Sequence, residues 1–140
     1  GKRDAVGVAA VFEDDTILLV KQYRPAVNMV TLEIPAGKLD SVDEDPLICA
    51  KRELSEETGY TANKYTQIHK LATTVGFSNE WIYIYLAQDL VKGKQHTDDD
   101  EFINLVEMPL SEAVDLVNKG EIFDAKSVVS ILMAEKLCQK

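Results

Sequence analysis

The segment from Gly37 to Tyr60, GKLDSVDEDPLICAKRELSEETGY, constrains this chain more than any other. Its second half places Glu53, Glu56 and Glu57 in a run of good helix formers that opens at Pro46 and stops at Gly59. Proline suits the first turn of a helix, where its missing N–H has no intrahelical partner to lose. Glycine suits the position after the last turn, where a left-handed backbone costs it little. The pattern predicts a helix over residues 46–58. At roughly 100° per residue, Leu47, Ala50 and Leu54 form an apolar stripe, and the three glutamates share an arc of about 100° along its flank. Like charges that close repel by roughly a few tenths of a kcal/mol in water, and by more beside a low-dielectric core. A cation belongs there. Clustered carboxylate oxygens suit a hard divalent ion, and Mg²⁺ is usually held by a few carboxylates together with substrate phosphates. The alternative is a solvated acidic face with Arg52 paired to Glu56 one turn on.

The spacing of the whole stretch favours the metal. It resembles the signature of the Nudix hydrolases: Gly, five residues, Glu, seven residues, then Arg-Glu-apolar-x-Glu-Glu-x-Gly-apolar. Glu44 stands seven residues before Arg52, and Arg52 to Tyr60 matches at every later position. One feature departs: six residues separate Gly37 from Glu44, so the loop from Lys38 to Asp43 carries a single insertion. A register through Asp43 repairs the first spacing and spoils the second. The resemblance implies an α/β fold, a Nudix α/β/α sandwich with a mixed sheet packed between helices, as one domain over residues 1–140.

Composition limits the partners. The net charge of −9 argues against a nucleic-acid surface, which needs clustered Lys and Arg, and suits a cationic ligand. No apolar run reaches the ~18 residues of a transmembrane span, and no signal peptide is visible. No membrane partner is expected. Cys49 and Cys138 fall in expected helices with no metal-type spacing, and read as buried, reduced thiols of a cytoplasmic protein.

Residues 5–12 and 16–23 are apolar β-type runs around Glu13-Asp14-Asp15, and predict a hairpin. Arg24 ends the second run, where it reaches either a ligand or only solvent. Thr31 to Gly37 reads as one short alternating strand, whose Pro35 and Gly37 would fix the Ala36 carbonyl toward a metal. Further strands are expected over residues 64–71, 81–90 and 101–108. Trp81, Tyr83 and Tyr85 are expected to pack on the sheet. Helices are expected from Ser111 to a stop at Gly120, and over residues 125–137.

KQYRP, LEIPAGKL and the signature together resemble one Nudix branch, the ADP-ribose pyrophosphatases. That resemblance implies hydrolysis of a nucleoside diphosphate sugar, ADP-ribose foremost, to AMP and ribose 5-phosphate, with Mg²⁺ or Mn²⁺ as cofactor. It implies metal ligation by Glu53, Glu56, Glu57 and the Ala36 carbonyl, with Arg52 and Glu44 supporting them. Arg24, Glu33 and Glu80 become substrate contacts, Glu80 with a share in catalysis. An acid of the hydrophilic loop, Glu101 or else Asp99, would orient the attacking water; His96 nearby reads as a bystander. The branch forms homodimers through a small sheet that precedes the point where this chain begins, so its absence leaves assembly and base choice open. The rivals are a nucleotide-sensing module on the same fold, and a hydrolase of NADH or nucleoside triphosphates. A complete carboxylate set favours the enzyme.

Overall fold

The strand Ala5–Val11 (β1) has six of its seven residues buried, and its two faces serve two different cores. Val6, Val8 and Ala10 point to one side, while Ala9 and Val11 point to the other. A strand covered on both faces has no need of polar alternation, which is why AVGVAAV reads as a continuous apolar run. The computed structural model describes residues 4–93 and 104–139. The elements after β1 are β2 (Thr16–Arg24), β3 (Met29–Glu33), β4 (Ala36–Lys38), α1 (Pro46–Thr58), β5 (Tyr60–Ala72), β6 (Trp81–Lys92), β7 (Leu105–Pro109), α2 (Leu110–Asn118) and α3 (Ala125–Cys138).

The sheet is mixed, with β1 parallel to β6 and the other pairings antiparallel. Helix α1 covers one face through Cys49, Ala50 and Leu54. Helices α2 and α3 cover the other through Leu110, Ala113, Ile131 and Ala134. This is the expected α/β/α sandwich. Among the described residues no helix is long and apolar enough to cross a membrane.

Strand pairing shows how the site is opened. At Leu18, β2 has Ala10 of β1 on one edge and Glu107 of β7 on the other. At Val20 it still has β7, through Leu105, but its other neighbour is Glu33 of β3. The hairpin strands β1 and β2 therefore splay, and residues 29–38 fill the gap, with β3 on β2 and β4 on β1. The expected single strand from Thr31 to Gly37 is thus two strands broken at Ile34-Pro35. Proline has no N–H for a ladder. Its carbonyl still accepts from the Val8 N–H at 2.9 Å, and the Ile34 N–H turns to the Ser127 hydroxyl of α3 at 3.0 Å.

Other bounds shift for local reasons. Strand β5 is longer than expected because it pairs with β6 from Tyr60 to Ala72, a partner that its own mixed sequence does not announce. Helix α2 starts at Leu110 behind Pro109, with no side-chain cap, one residue before Ser111. The last strand begins at Leu105, and Glu101, Asp99 and His96 lie outside the described residues. Cys138 is only half-buried and Trp81 is 39% exposed, because each lies near the end of its element.

Ser127 ties α3 to the break between β3 and β4. Its fully buried hydroxyl accepts from Ile34 and donates to Asp124 at 2.6 Å. Ser127→Ala would strand a buried N–H, at a cost of about 1–3 kcal/mol. Urea unfolding should show that loss as a lower midpoint with an unchanged slope.

Candidate active site

Helix α1 forms for the reasons its sequence gives. The Asp45 side chain accepts from the Leu47 N–H at 3.0 Å, Pro46 occupies the first turn, and Gly59 closes the helix at φ 75°. Fully buried Ala50 and Leu54 pin it to the sheet. Burying a leucine contributes about 1.5–3 kcal/mol, enough to hold repelling glutamates beside one another.

Those glutamates meet the chain at β4. The Glu57 carboxylate accepts from the Ala36 N–H at 2.9 Å. A Cβ on Gly37 would overlap the Glu53 carboxylate, so only glycine lets that side chain lie against the strand. Burial raises the Glu57 pKa to about 7, opposed by the Ala36 N–H and reinforced by the Glu53 charge. Burial also raises that of Glu53, with the Glu56 charge adding to it and Arg52 opposing. Both groups hold their negative charge at a cost. Glu56 differs: its side chain is 59% exposed and lies 4.0 Å from Arg52, so the flank carries two half-buried acids and a solvated third.

Arg52 is the brace. It donates to Glu44 at 3.0 Å and to Glu53 at 3.1 Å, and its Nε faces Asp40 at 3.4 Å. Glu44 also accepts from the Asp40 N–H at 2.7 Å, which pins the loop ahead of the helix. The signature register runs through Glu44, and the extra residue is absorbed within residues 38–43.

Across from Glu57 stands a second cluster. Arg24 grips Glu33 with a two-pronged pair at 2.7 and 2.8 Å, Thr31 donates to Glu33 at 2.6 Å, and Lys126 reaches it at 3.0 Å. Burial alone would raise the Glu33 pKa and is the largest influence on it, yet the hydrogen bonds from Arg24, Thr31 and Lys126 together hold it at about 2. With a side chain only 2% exposed, Glu33 cannot meet a ligand as expected; it fixes Arg24 and Lys126 instead. Arg24 is no mere surface decoration. Glu80 comes within 3.7 Å of Lys38 and so lies beside β4.

Between the two clusters is a cleft of about 440 Å³ lined by Arg24, Ala36, Gly37, Lys38, Glu57 and Lys126, among others. A larger hollow of about 600 Å³ lies against Phe12, Asp89 and the end of α3, and holds none of the signature residues. Lys126 is the cleft residue that sequence reasoning missed. Its one signal was a cation in the first turn of α3, where helix polarity disfavours it.

Among the described residues no three carboxylate, imidazole or thiol side chains converge on one point. A divalent ion nevertheless fits Glu53 and Glu57, two half-buried carboxylates whose charge lacks full compensation. Mg²⁺ commonly takes one or two carboxylates and fills its shell with water and substrate oxygens.

The Glu57 shift fixes a sign. A carboxyl whose folded pKa is raised stabilises the fold below its unfolded value, near 4.5, and that contribution is lost as pH rises through about 7. Glu57→Gln mimics the protonated form. Without divalent ions it should gain stability relative to the unsubstituted protein between pH 5 and pH 8, and added Mg²⁺ should close the gap at pH 8 only; thermal melts of both proteins read this directly.

Comparison with known proteins agrees with this geometry. A family model described as the NUDIX domain matches residues 1–130. An ADP-ribose pyrophosphatase of Bacillus subtilis (strain 168) is 43% identical over 129 residues, spanning 91% of this chain and 69% of that protein. A methanol dehydrogenase activator of Bacillus methanolicus is 40% identical over 129 residues, with the same coverage of 91% and 69%. A crystal structure of an ADP compounds hydrolase superposes with a TM-score of 0.83 at 27% identity, covering 98% of this chain and 73% of that one. With its signature helix, its sandwich and these matches in accord, the chain belongs to the NUDIX domain family.

Proposed function

We propose that this pyrophosphohydrolase splits the pyrophosphate bond of nucleoside diphosphate sugars, with ADP-ribose as the leading substrate and Mg²⁺, or Mn²⁺ in its place, as cofactor. The observation that carries the reading is the cleft itself, which has Glu57 on one wall and the braced cations Arg24 and Lys126 on the other, with Glu53 one helical turn from Glu57 against Gly37. Cleaving a pyrophosphate requires neutralising two phosphoryl groups and presenting a water in line with one of them. A bound divalent ion supplies charge neutralisation and lowers the pKa of its water.

The chain's own residues do the rest. Glu53 and Glu57, fixed against the Gly37 and Ala36 backbone, hold the ion with Glu56 in reserve beside them, and the Ala36 carbonyl is the proposed main-chain ligand. Arg52 and Glu44 keep the carboxylates oriented. Such supporting pairs typically govern metal affinity by 10–100-fold (an order-of-magnitude range). Arg24 would face the phosphates, and Glu80, within 3.7 Å of Lys38, would meet substrate. Glu101, or Asp99, would orient the water. Attack forms a new P–O bond and breaks the bridging one, giving AMP and ribose 5-phosphate with no covalent enzyme intermediate.

A homodimer in the cytoplasm completes the reading. The tip of the β2–β3 hairpin exposes Tyr23, Val27, Met29 and Val30, an apolar strip suited to burial against a second copy. The buried Cys49 thiol, which forms no disulfide, suits a reducing compartment. Light scattering on the purified protein should give twice the chain mass; a monomer at all concentrations would remove the dimer from the reading.

The decisive test is a panel of ADP-ribose, other nucleotide sugars, NADH and nucleoside triphosphates incubated with Mg²⁺ and analysed by chromatography. AMP should appear from ADP-ribose. Turnover of no member would favour a nucleotide-sensing module instead. Glu57→Gln should lower kcat by about a hundredfold or more while leaving the fold intact; retention of most activity would overturn the ligand assignment.

A further inference from the structure

We propose that the hollow of about 600 Å³ against Phe12, Asp89 and the end of α3 is a second binding site, for a linear aliphatic polyamine. Its ammonium groups meet the carboxylates of Glu13, Asp15 and Asp89, while the methylene chain between them lies on Phe12 and Leu137. The site is independent of the pyrophosphohydrolase reading, since the hollow shares no lining residue with the cleft.

Strand connectivity opens the hollow. Strands β1 and β6 are the parallel pair of the sheet, in register from Ala5 and Ile82 to Ala10 and Ala87. There they part: β1 stays with β2 through Val11 and Ile17 and turns back, whereas β6 follows β5 as far as Lys92 and Tyr60. A crevice beyond the carboxyl ends of parallel strands whose continuations diverge is where open α/β sheets take ligands. Here Val11 and Phe12 form one lip, Gln88 and Asp89 another, and Leu137 and Cys138 of α3 the third side. The hollow is larger than the cleft, and its volume falls within the roughly 300–1,000 Å³ of small-molecule sites.

The lining selects the chemistry. The Phe12 ring stands edge-on to Tyr60, 5.4 Å between centroids, and Leu137 is 54% exposed, so apolar surface remains open to a ligand. Three carboxylates surround it, with no Lys or Arg among the described lining residues. The half-buried Asp15 carboxylate has no hydrogen-bond or ion-pair partner among the described residues, and Asp89 accepts only from the Asn63 amide, at 3.0 Å. Two further hollows, of about 280 and 410 Å³, adjoin this one through Asp15 and through Glu13. They add Asp14, Glu107 and Glu135, and again no described cation, so the site continues as a trough around the β1–β2 turn. A bare metal ion would answer the charge and leave the apolar floor unused. Ammonium groups separated by methylenes answer both, through ion pairs and through the face of Phe12. The cleft repels such a ligand, because its charged lining is Arg24, Lys38 and Lys126 against Glu57.

Spermine is the probe. Titration calorimetry of the full chain at physiological ionic strength should give one-to-one binding that Mg²⁺ at matched ionic strength does not displace. Asp15 and Asp89 have left-handed backbones, at φ 65° and 56°, which asparagine tolerates. Glu13→Gln, Asp15→Asn and Asp89→Asn combined therefore remove the charge at little cost to the fold, which thermal melting checks. That triple variant should weaken spermine by about tenfold or more. Glu112→Gln, Asp115→Asn and Glu121→Gln combined, equal in charge and outside the three hollows, should change it by less than about twofold, since screening mutes distant charges. Equal weakening in both variants would mean that spermine senses net charge alone, and overturns the proposal, as do displacement by Mg²⁺ and a lack of binding to the unsubstituted protein. Crystals of the unsubstituted protein soaked in spermine give a readout independent of how the variants fold: ammonium nitrogens in hydrogen-bonding range of Asp15 or Asp89 support the site, and an empty hollow refutes it.

Discussion

The site depends on the contact between α1 and β4, where two carboxylates rather than two apolar side chains meet the strand. The Glu57 carboxylate takes the Ala36 N–H, and Glu53 occupies the space that a side chain on Gly37 would fill. Neither acid is there for stability, since burial and neighbouring acids raise the pKa of both. What keeps them in place is the apolar stripe one face over, with Cys49, Ala50 and Leu54 fully buried. The core supplies the free energy that the site spends, the usual relation between a packed scaffold and a strained functional surface.

The opposite wall solves the reverse problem. Glu33 is a buried charge, which is costly unless fully partnered, and it is satisfied by two cations and a hydroxyl. The three elements involved, β2, β3 and α3, are thereby locked around one carboxylate. This lock would fail if β1 and β2 stayed paired along their length. Their splay lets β3 and β4 enter, sets Glu33 opposite Val20 with its carboxylate in reach of Arg24, and puts Ala36 and Gly37 under α1. One irregularity in a hairpin thus builds both walls.

Much of this was legible in the chain. Asp45, Pro46 and Gly59 mark the ends of α1 through capping chemistry that is local, so the helix is readable residue by residue. The carboxylates and Arg52 are legible for a different reason: their spacing is long and many-pointed. Less readable was anything set by pairing between distant segments. The break at Ile34-Pro35 follows from β1 and β2 parting, and no property of LEIPAG by itself says which neighbours its two halves will take. The burial of Glu33 follows from Lys126, 93 positions away, and the length of β5 from β6. The difference in enclosure among Glu53, Glu56 and Glu57 has a tertiary cause. Helical angle puts them on one flank, but only the two that face β4 are enclosed.

The absence of a ready-made cage among the described residues bears on how ion and substrate enter together. A site with three or four converged carboxylates would hold its ion tightly and shield it from further ligands. In the proposed reading, two half-buried acids would leave much of the ion's shell open to oxygens of a diphosphate. The substrate would then draw the ion in as the ion draws the substrate, each raising the affinity for the other by the same factor. The cationic wall serves the same coupling, because it attracts the diphosphate while repelling a bare divalent ion. Opposite charges on facing walls therefore favour occupancy by the ion and the polyanion as a pair over either alone.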